Sequence, residues 1–332
     1  MIQPHTPRPT DRAARVRPGR TVRALAALGV TILAGALMGA RPADARATPH
    51  VPSAPASPAS ASRSLLRQDT LGGRSGKLRA RILHPRSITF PFLRRLLGDS
   101  AARPGVYTVQ PEQGGKPFAF INLVPFSEKR NGRIGRYRIG FWPGERGRAL
   151  QGKYDNPQGF IEVTPDNQRT PVSEHFALAD FLTHDQVRVW PKYLVLSEDL
   201  VDKLELVIDD MALHGTPVRR MVVMSGFRTP QYNRAGGDAR GRAGLSRHMY
   251  GDAADIWIDG DGDGQMDDLD HDGRHGIGDA RAVCEAVDRV EREHPELVGG
   301  CGYYPGNGAH GPFTHIDARG YRARWVGSGD GG

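Results

Sequence analysis

The chain has 332 residues, of which 38% are hydrophobic, so it is long enough for about two domains with hydrophobic cores. Its net charge of +8 comes mostly from the N-terminus. Eight of the 45 basic residues and two of the 37 acidic residues lie in residues 1–47, so the remainder carries a net charge of +2. That remainder has no basic stripe interleaved with aromatic residues, and the composition therefore excludes a nucleic-acid-binding protein.

Residues 1–47 have the pattern of a signal peptide. Five arginines between positions 12 and 23 precede an apolar run at residues 24–40, and the small residues of Ala43-Asp-Ala45 and Ala45-Arg-Ala47 offer cleavage sites. We therefore expect export to the periplasm, the cell envelope or the extracellular space. At 17 residues the run is at the short end for a membrane span. An uncleaved leader is the alternative, and it would be the protein's only contact with the membrane.

Two further regions precede the part of the chain that carries the chemistry. Residues 48–75 are rich in Pro, Ala and Ser and cannot bury enough apolar surface to fold, so we interpret them as a linker. Residues 76–152 contain short runs of β-branched and aromatic residues separated by Gly and Pro, which is typical of strands. We interpret them as a small β-rich accessory domain, whose role the sequence does not indicate.

Residues 153–328 predict a second domain of the α+β class. Apolar residues recur at helical spacing in several segments, and Ser197 and Gly215 suit the start and the end of one of them. Residues 172–182 predict a cap that leads into a short amphipathic helix. Residues 196–214 and 279–293 predict two further amphipathic helices, and residues 221–224 predict a buried strand. The alternation of helices and strands gives the α+β assignment.

Three separate segments of this domain each contain one side chain that suits a zinc ion: His248, Asp255 and His315. Two imidazoles and one carboxylate, without a thiolate, are typical of a catalytic zinc, which keeps one coordination position open for water. Small residues between His248 and Asp255 allow a tight turn into a strand. The segment around His315 also has strand character, which would place His315 and Asp317 on one face.

Cys284 and Cys301 are the two cysteines of the chain. In an oxidising compartment they could pair, and the disulfide would join the predicted helix 279–293 to the segment that leads into the last strand. Two buried free thiols are the alternative.

Four motifs of the second domain together resemble the M15 peptidases. In chain order they are Ser225-Gly-Phe-Arg-Thr-Pro-Gln-Tyr-Asn233, Ser246-Arg-His-Met-Tyr-Gly-Asp-Ala-Ala-Asp255-Ile256, Gly302-Tyr-Tyr-Pro305 and Phe313-Thr-His-Ile-Asp-Ala-Arg-Gly320. The resemblance extends over residues 172–325. It is greatest to the murein endopeptidase branch of the D-Ala-D-Ala carboxypeptidase family, which shares its metal fold with hedgehog signalling domains. It implies a hedgehog/DD-peptidase-like zinc domain in which His248, Asp255 and His315 bind the zinc.

The resemblance also implies that Arg228 polarises or anchors the substrate near the scissile bond. A structural arginine that bonds to backbone carbonyl oxygens is the alternative. Related enzymes often carry a carboxylate three residues before the last zinc ligand as the general base, but this chain has Pro312 there. Asp317 is therefore the candidate base, with His310 as second choice. Asp317 could instead orient His315 as a hydrogen-bond acceptor.

These residues lead us to expect an exported zinc metallopeptidase that acts on the peptide stems of peptidoglycan. Cross-link endopeptidase activity is the first expectation, and D-Ala-D-Ala carboxypeptidase activity is the same chemistry on a different substrate. A non-catalytic, metal-containing module that binds the cell wall is the alternative, because the position of Pro312 leaves the general base open.

An acidic segment that follows Asp255 matches a calcium-binding loop. A loop of this type has oxygen ligands at positions 1, 3, 5, 7, 9 and 12 and a glycine at position 6. The predicted ligands are Asp259, Asp261, Asp263, Gln265, Asp267 and Asp270, with Gly264 at the turn; an overlapping match at Asp268, Asp270, Asp272 and Asp279 would allow a second ion. We expect calcium to rigidify this insertion and to take no part in hydrolysis. A solvated acidic loop is the alternative.

Overall fold

The computed structural model describes residues 71–83, 98, 103–110, 115–147, 154–236 and 243–328. The predicted signal peptide and most of the predicted linker lie outside these residues, so both stay predictions. Within the described ranges, no helix combines the length and the apolar character that crossing a bilayer requires.

The described residues form thirteen strands and three α-helices. The strands, β1 to β13, are Ala80–Leu83, Gly105–Val109, Phe118–Asn122, Val124–Pro125, Arg133–Ile134, Tyr137–Arg138, Gly159–Val163, Lys192–Leu194, Met221–Ser225, Ala253–Ile258, Gly300–Tyr304, Phe313–Asp317 and Ala323–Val326. The helices, α1 to α3, are Glu198–Leu213, Pro230–Gly236 and Ile277–Glu293. This combination confirms the predicted α+β class.

A five-stranded sheet in the order β13-β11-β12-β10-β9 is the frame of the C-terminal half. All neighbouring pairs are antiparallel except β11 and β13, which are parallel. Helix α3 packs on β11, β12 and α1. The hydroxyl of Thr314 on β12 donates a hydrogen bond to the Ala280 carbonyl of α3 over 2.8 Å. Because neighbouring residues of a strand face opposite sides, His315 faces away from the helix.

A disulfide bond between Cys284 of α3 and Cys301 of β11 joins the helix to the face of the sheet on which Thr314 lies. The predicted pairing of these two cysteines is confirmed. Gly302, the next residue of β11, therefore lies on the face opposite to α3, together with His315. Helix α3 occupies one face of the sheet, with α1 packed against it, and the predicted zinc ligands that the strands carry lie on the other face.

The helix predictions hold for α1 and α3 but not for residues 172–182. Helix α1 begins after Ser197 and ends before Gly215, whose φ of +90° lies in the left-handed region that favours glycine. Between 172 and 182 the structure contains only the 3-10 turn Leu178–Phe181. The helix prediction is wrong there because the Val172 carbonyl accepts a hydrogen bond from the Arg79 N–H instead of one from the next helical turn.

Three smaller sheets complete the fold, in the orders β1-β3-β2, β4-β7-β8 and β5-β6. Strand β4 pairs with β7, so residues on both sides of the predicted domain boundary at 152 share a sheet and one hydrophobic cluster. The indole N–H of the fully buried Trp142 donates to the Met249 carbonyl over 2.9 Å, next to the predicted ligand His248. Residues 148–153 lie outside the described ranges, and the division into two domains stays a prediction.

Candidate metal centre

The three predicted zinc ligands lie together in the structure. His248 belongs to the 3-10 helix Arg247–Tyr250, Asp255 to β10 and His315 to β12. All three are buried, and their ligand atoms lie within 4.8 Å of one another. Nδ1 of His315 is 2.8 Å from Oδ1 of Asp255, and Nε2 of His248 is 3.2 Å from each of these two atoms.

Hydrogen bonds on the far sides of the two rings fix which nitrogen faces this cluster. Nδ1 of His248 lies 2.7 Å from the Gly226 carbonyl, which can only accept, so Nδ1 carries the hydrogen and Nε2 offers its lone pair. Nε2 of His315 lies 3.1 Å from Oδ2 of Asp317, which leaves Nδ1 for a metal ion. The donor set and its orientation therefore fit zinc.

The electrostatics of the cluster differ between the two imidazoles. Burial, with the charge of Arg228, lowers the pKa of His248 to about 4, so this ring is neutral and able to coordinate a metal. Burial also acts to lower the pKa of His315, but hydrogen bonds to Asp255 and Asp317 outweigh it and raise that pKa to about 9. In the metal-free protein, the positive charge of His315 therefore neutralises part of the charge of the two carboxylates.

Arg228 contacts the cluster directly. Its Nε donates to the Ser225 hydroxyl over 2.8 Å, and its Nη2 donates to Oδ2 of Asp255. These partners are side chains rather than the backbone carbonyls of the structural alternative. Despite the cost of burial, His248 and Arg228 hold the pKa of Asp255 well below its usual range, which keeps it a carboxylate.

Two of the three predicted ligands, Asp255 and His315, belong to one row of residues that runs across the five-stranded sheet. In register across the strands, the row consists of Ser225, Asp255, His315, Gly302 and Trp325. A Cβ on Gly302 would lie 2.1 Å from the Trp325 ring, so only glycine lets the indole lie over β11. The indole ring is then 5.3 Å from the His315 ring, measured between centroids.

Asp317, the predicted general base, lies behind His315 rather than beside the other ligands. Its carboxylate is completely buried and accepts hydrogen bonds from the Gly300 N–H and from the Arg319 guanidinium. His315 and Asp317 face the same side of β12, as the strand prediction requires. These contacts place the carboxylate at Nε2 of His315, while Nδ1 faces the metal position.

A cleft of about 660 Å³ opens over the three ligands. One wall is aromatic: the rings of Tyr304 and Phe313 stack with centroids 4.4 Å apart, and His310 packs edge-on against Phe313 at 4.9 Å. The lining also includes Trp325 and three arginines, Arg228, Arg247 and Arg319. Sequence reasoning assigned no role to Tyr304, Trp325, Arg247 or Arg319, although all but Trp325 lie inside the four motifs.

The structure divides the predicted calcium ligands between two groups. One group is Asp259, Asp261 and Asp263; the other is Asp268, Asp270 and Asp279. The Asp267 carboxylate instead accepts hydrogen bonds from the Gly260 N–H, and the Gln265 side-chain amide donates to Asp263. Asp259 is buried and also pairs with Arg220. Calcium binding stays a prediction. The structure limits the candidate ligands of the first group to the carboxylates of Asp259, Asp261 and Asp263.

Residues 183–280 match the family model for Peptidase M15. No match was found among the curated proteins or among the solved structures. The matched segment contains Arg228, His248 and Asp255 and ends before His315, which the sheet brings to the same site. M15 peptidases are in general zinc-dependent, which agrees with the donor set. The match supports the resemblance to the M15 peptidases over the segment that contains the first two of the four motifs.

Proposed function

We propose that this protein is an exported zinc peptidase that hydrolyses peptide bonds in the stems of peptidoglycan, and that its C-terminal half has the hedgehog/DD-peptidase fold. One observation carries the proposal: two imidazoles and one carboxylate converge at the bottom of an open cleft, in a chain with an M15 segment. No buried cluster of thiolates accompanies them, since both cysteines are used in the disulfide. This favours a catalytic site over a structural zinc site.

His248, Asp255 and His315 are the residues that would hold the zinc ion. A zinc ion bound there would polarise the amide carbonyl and lower the pKa of a water molecule. The protein contributes the orientation of the donors. The Gly226 carbonyl fixes the tautomer of His248, and Asp317 fixes that of His315, so that neither ring has to reorient when the metal binds.

Arg228 is suited to bind the substrate while it orients Asp255. Its Nε and Nη2 are used by Ser225 and Asp255, and within the described ranges no acceptor takes the N–H groups of Nη1. Its side chain lines the cleft. These N–H groups can donate to the carbonyl oxygen of the scissile amide or to a terminal carboxylate of the peptide.

We assign Asp317 the orienting role and His310 the role of proton acceptor. The Asp317 oxygens are occupied by His315, Gly300 and Arg319, on the side of His315 that faces away from the metal position. His310 lines the cleft, and its Nδ1 lies 2.9 Å from the Gly311 carbonyl. Its Nε2 accepts a hydrogen bond from the Asn307 side-chain amide over 3.0 Å, and Nε2 has to give up this bond to take a proton. In hydrolysis the oxygen of a water molecule bonds to the carbonyl carbon, its proton passes to the base, and the amide nitrogen takes a proton as the C–N bond breaks.

Export is the second part of the proposal. The predicted signal peptide lies outside the described residues, but the disulfide between Cys284 and Cys301 supports an oxidising compartment. Peptidoglycan is the peptide substrate that such a compartment of a bacterial cell offers, and it is the substrate of the branch that the four motifs resemble. Endopeptidase action on cross-links is our first choice, and carboxypeptidase action is the second.

The test is a digest of purified peptidoglycan by the protein with zinc, with a chelator, and as His248→Ala. Zinc-dependent conversion of cross-linked dimers to monomers would support the endopeptidase, whereas loss of only a terminal D-Ala would indicate a carboxypeptidase. His214→Ala is the matched control, because His214 is an exposed histidine after the end of α1. It should retain both zinc and activity.

One observation favours a second candidate, a non-catalytic module that binds the cell wall. Among the described residues that line the cleft, Asp255 is the one carboxylate, and it is itself a predicted zinc ligand. A protein of this kind would bind zinc stoichiometrically, bind peptidoglycan, and release no product in the digest. That outcome would overturn the peptidase.

A further inference from the structure

Tyr304 presents a hydroxyl group to the cleft beside the predicted zinc ligands. On β11 it is two residues beyond Gly302, the cross-strand partner of His315, and therefore on the same face of the sheet. A residue in this diagonal position lies about 7–8 Å away in the backbone, which is within reach of an aromatic side chain. Both Tyr304 and His315 line the cleft.

Neighbouring residues hold the Tyr304 ring in one position. Its face stacks on Phe313 with an angle of 5° between the ring planes. Its hydroxyl oxygen accepts a hydrogen bond of 2.7 Å from the indole Nε1–H of Trp325. Gly327 lies against the ring so closely that a Cβ there would be 1.8 Å from Cδ1. The phenol is therefore fixed before any substrate binds.

The hydroxyl is also prepared to donate a hydrogen bond. Because the indole N–H of Trp325 can only donate, the bond between the two side chains uses an oxygen lone pair and leaves the proton of Tyr304 available. Over the described part of the chain, no acceptor takes this proton. A phenol has an ordinary pKa near 10 and keeps its proton at neutral pH.

We propose that Tyr304 is a catalytic residue that donates its hydroxyl hydrogen bond to the carbonyl oxygen of the scissile amide as negative charge develops on that oxygen. Trp325 is the positioning residue that holds the hydroxyl there. As the water oxygen bonds to the carbonyl carbon, the carbonyl π electrons move to the oxygen, and Tyr304 stabilises this charge. When the C–N bond breaks, the electrons return to re-form the C=O bond, and Tyr304 keeps its proton throughout.

This inference rests on the proposed peptidase function. It gives the carbonyl oxygen of the substrate two hydrogen-bond donors, Arg228 and Tyr304. The two donors differ in charge and origin: Arg228 follows β9 and is bonded to Asp255, whereas Tyr304 is on β11 and is bonded to Trp325. Loss of one donor from such a site reduces kcat by about 10²–10³-fold in other hydrolases.

The experiment compares Tyr304→Phe with Tyr303→Phe in the full-length protein on the peptidoglycan substrate. Tyr303 is the preceding residue of the same strand, faces the opposite side and packs against the hydrophobic core. We expect Tyr304→Phe to lower kcat about 100-fold with unchanged KM and unchanged zinc content. Tyr303→Phe should leave kcat within about twofold of the wild type, because it removes no group from the cleft.

A binding measurement separates catalysis from structure. A D-Ala-D-Ala analogue in which a phosphinate replaces the amide carries the charged tetrahedral oxygens of the transition state. Its inhibition constant should weaken in Tyr304→Phe by about the same factor as kcat/KM, while affinity for the hydrolysis product stays the same. Trp325→Phe, which lacks the indole N–H but keeps an aromatic ring, should show a smaller loss of the same pattern.

Two outcomes overturn the inference, and they are distinguishable. If the wild type turns over its substrate and Tyr304→Phe matches it in kcat and in phosphinate affinity, Tyr304 is not a catalytic residue and the peptidase function stands. If the wild type neither hydrolyses peptidoglycan nor binds the phosphinate, the peptidase function fails and the role of Tyr304 fails with it.

Discussion

Asp255 and His315 are direct cross-strand partners on β10 and β12, with 2.8 Å between Oδ1 and Nδ1. Two of the three predicted zinc ligands are therefore positioned by the register of the sheet and not by a loop. A slip of either strand by one residue would turn its own ligand toward the opposite face and separate it from the other ligand. On the next strands of the same sheet, Trp325 lies over Gly302 and next to His315. The predicted metal centre and part of the cleft wall therefore depend on the same register of the sheet.

The contacts of Asp317 predict that its loss weakens zinc binding. Asp317→Ala removes the acceptor that holds His315 at Nε2, and we expect the dissociation constant for zinc to rise about 10–100-fold. Asp317→Asn should lose less, because an amide oxygen still accepts the imidazole N–H. Competition against a chromogenic chelator measures both constants, with Asp209→Asn as the control at an exposed site on α1.

The same pair of variants decides between the two roles considered for Asp317. If Asp317→Ala binds zinc as tightly as the wild type but has lost turnover, the carboxylate is the general base and the orienting role is wrong. Loss of affinity in parallel with turnover supports the orienting role and leaves His310 as the proton acceptor.

Zinc binding should become tighter as the pH rises. In the metal-free protein the pKa of His315 is raised to about 9, whereas that of His248 is lowered to about 4. Between these values zinc has to displace one proton, from His315. The apparent association constant should therefore increase about tenfold per pH unit and level off as the pH passes through about 9. Zinc affinity rises with pH because a metal ion binds only the neutral imidazole.

Calorimetry in two buffers of different ionisation enthalpy measures that proton directly. At about pH 6, where water on a zinc ion keeps its protons, we expect release of about one proton per zinc. In Asp317→Ala the His315 pKa loses one of its supporting hydrogen bonds, so the pH at which proton release ends should move below that of the wild type. Zinc binding to the wild type without proton release would show that His315 is neutral in the metal-free protein.

The acidic loop gives a prediction of its own. If calcium binds to Asp259, Asp261 and Asp263, millimolar calcium should raise the Tm of the wild type but not that of Asp261→Asn/Asp263→Asn. Asp166→Asn, in another exposed loop, is the control. Activity with saturating zinc should be equal in all three proteins. Equal melting temperatures of the wild type with and without calcium would support the solvated loop.

The convergence of the three predicted zinc ligands could be expected from sequence because each of them lies in a short motif whose residues favour a turn or a strand. The small residues before Asp255 and the strand character around His315 indicate two strands, and the structure contains both. The partners of Asp317 were not predictable. Which oxygen faces which neighbour depends on Gly300 and Arg319, which the sheet register and the turn after β12 bring into contact.

Hydrogen bonds between distant segments also explain why the helix predicted within residues 172–182 is wrong. Residues 172–182 have helical periodicity, but the Val172 carbonyl accepts a hydrogen bond from the N–H of Arg79, which precedes β1 and lies more than 90 positions earlier in the chain. The role of Tyr304 was hidden for a similar reason, since its partner Trp325 lies 21 residues later on a parallel neighbouring strand. Local sequence patterns predicted most of the helices and strands and the three candidate ligands, whereas the contacts between distant segments could not be predicted from them.

A buried ion pair behind the metal centre leads to a prediction about stability. Lys203 of α1 has no exposed surface, and its ammonium donates to Oε1 of Glu291 over 2.7 Å and to the Asp317 carbonyl over 2.8 Å. Lys203→Met would leave a buried carboxylate and a buried carbonyl without this donor. Removing one partner of a buried pair costs about 3–5 kcal/mol. We expect the lower end, about 3 kcal/mol, because Arg324 still contacts Glu291.

Urea denaturation of the metal-free protein measures this cost without a contribution from zinc binding. Arg281→Ala is the matched control, because Arg281 forms an ion pair with Glu285 on the exposed surface of α3, where both side chains are 59% exposed. A pair of that kind contributes about 0–1 kcal/mol. If the two variants unfold at the same urea concentration, the ammonium of Lys203 is not needed to compensate Glu291. A large loss only in Lys203→Met would show that the Lys203 ammonium is needed to compensate the buried acceptors Glu291 and the Asp317 carbonyl.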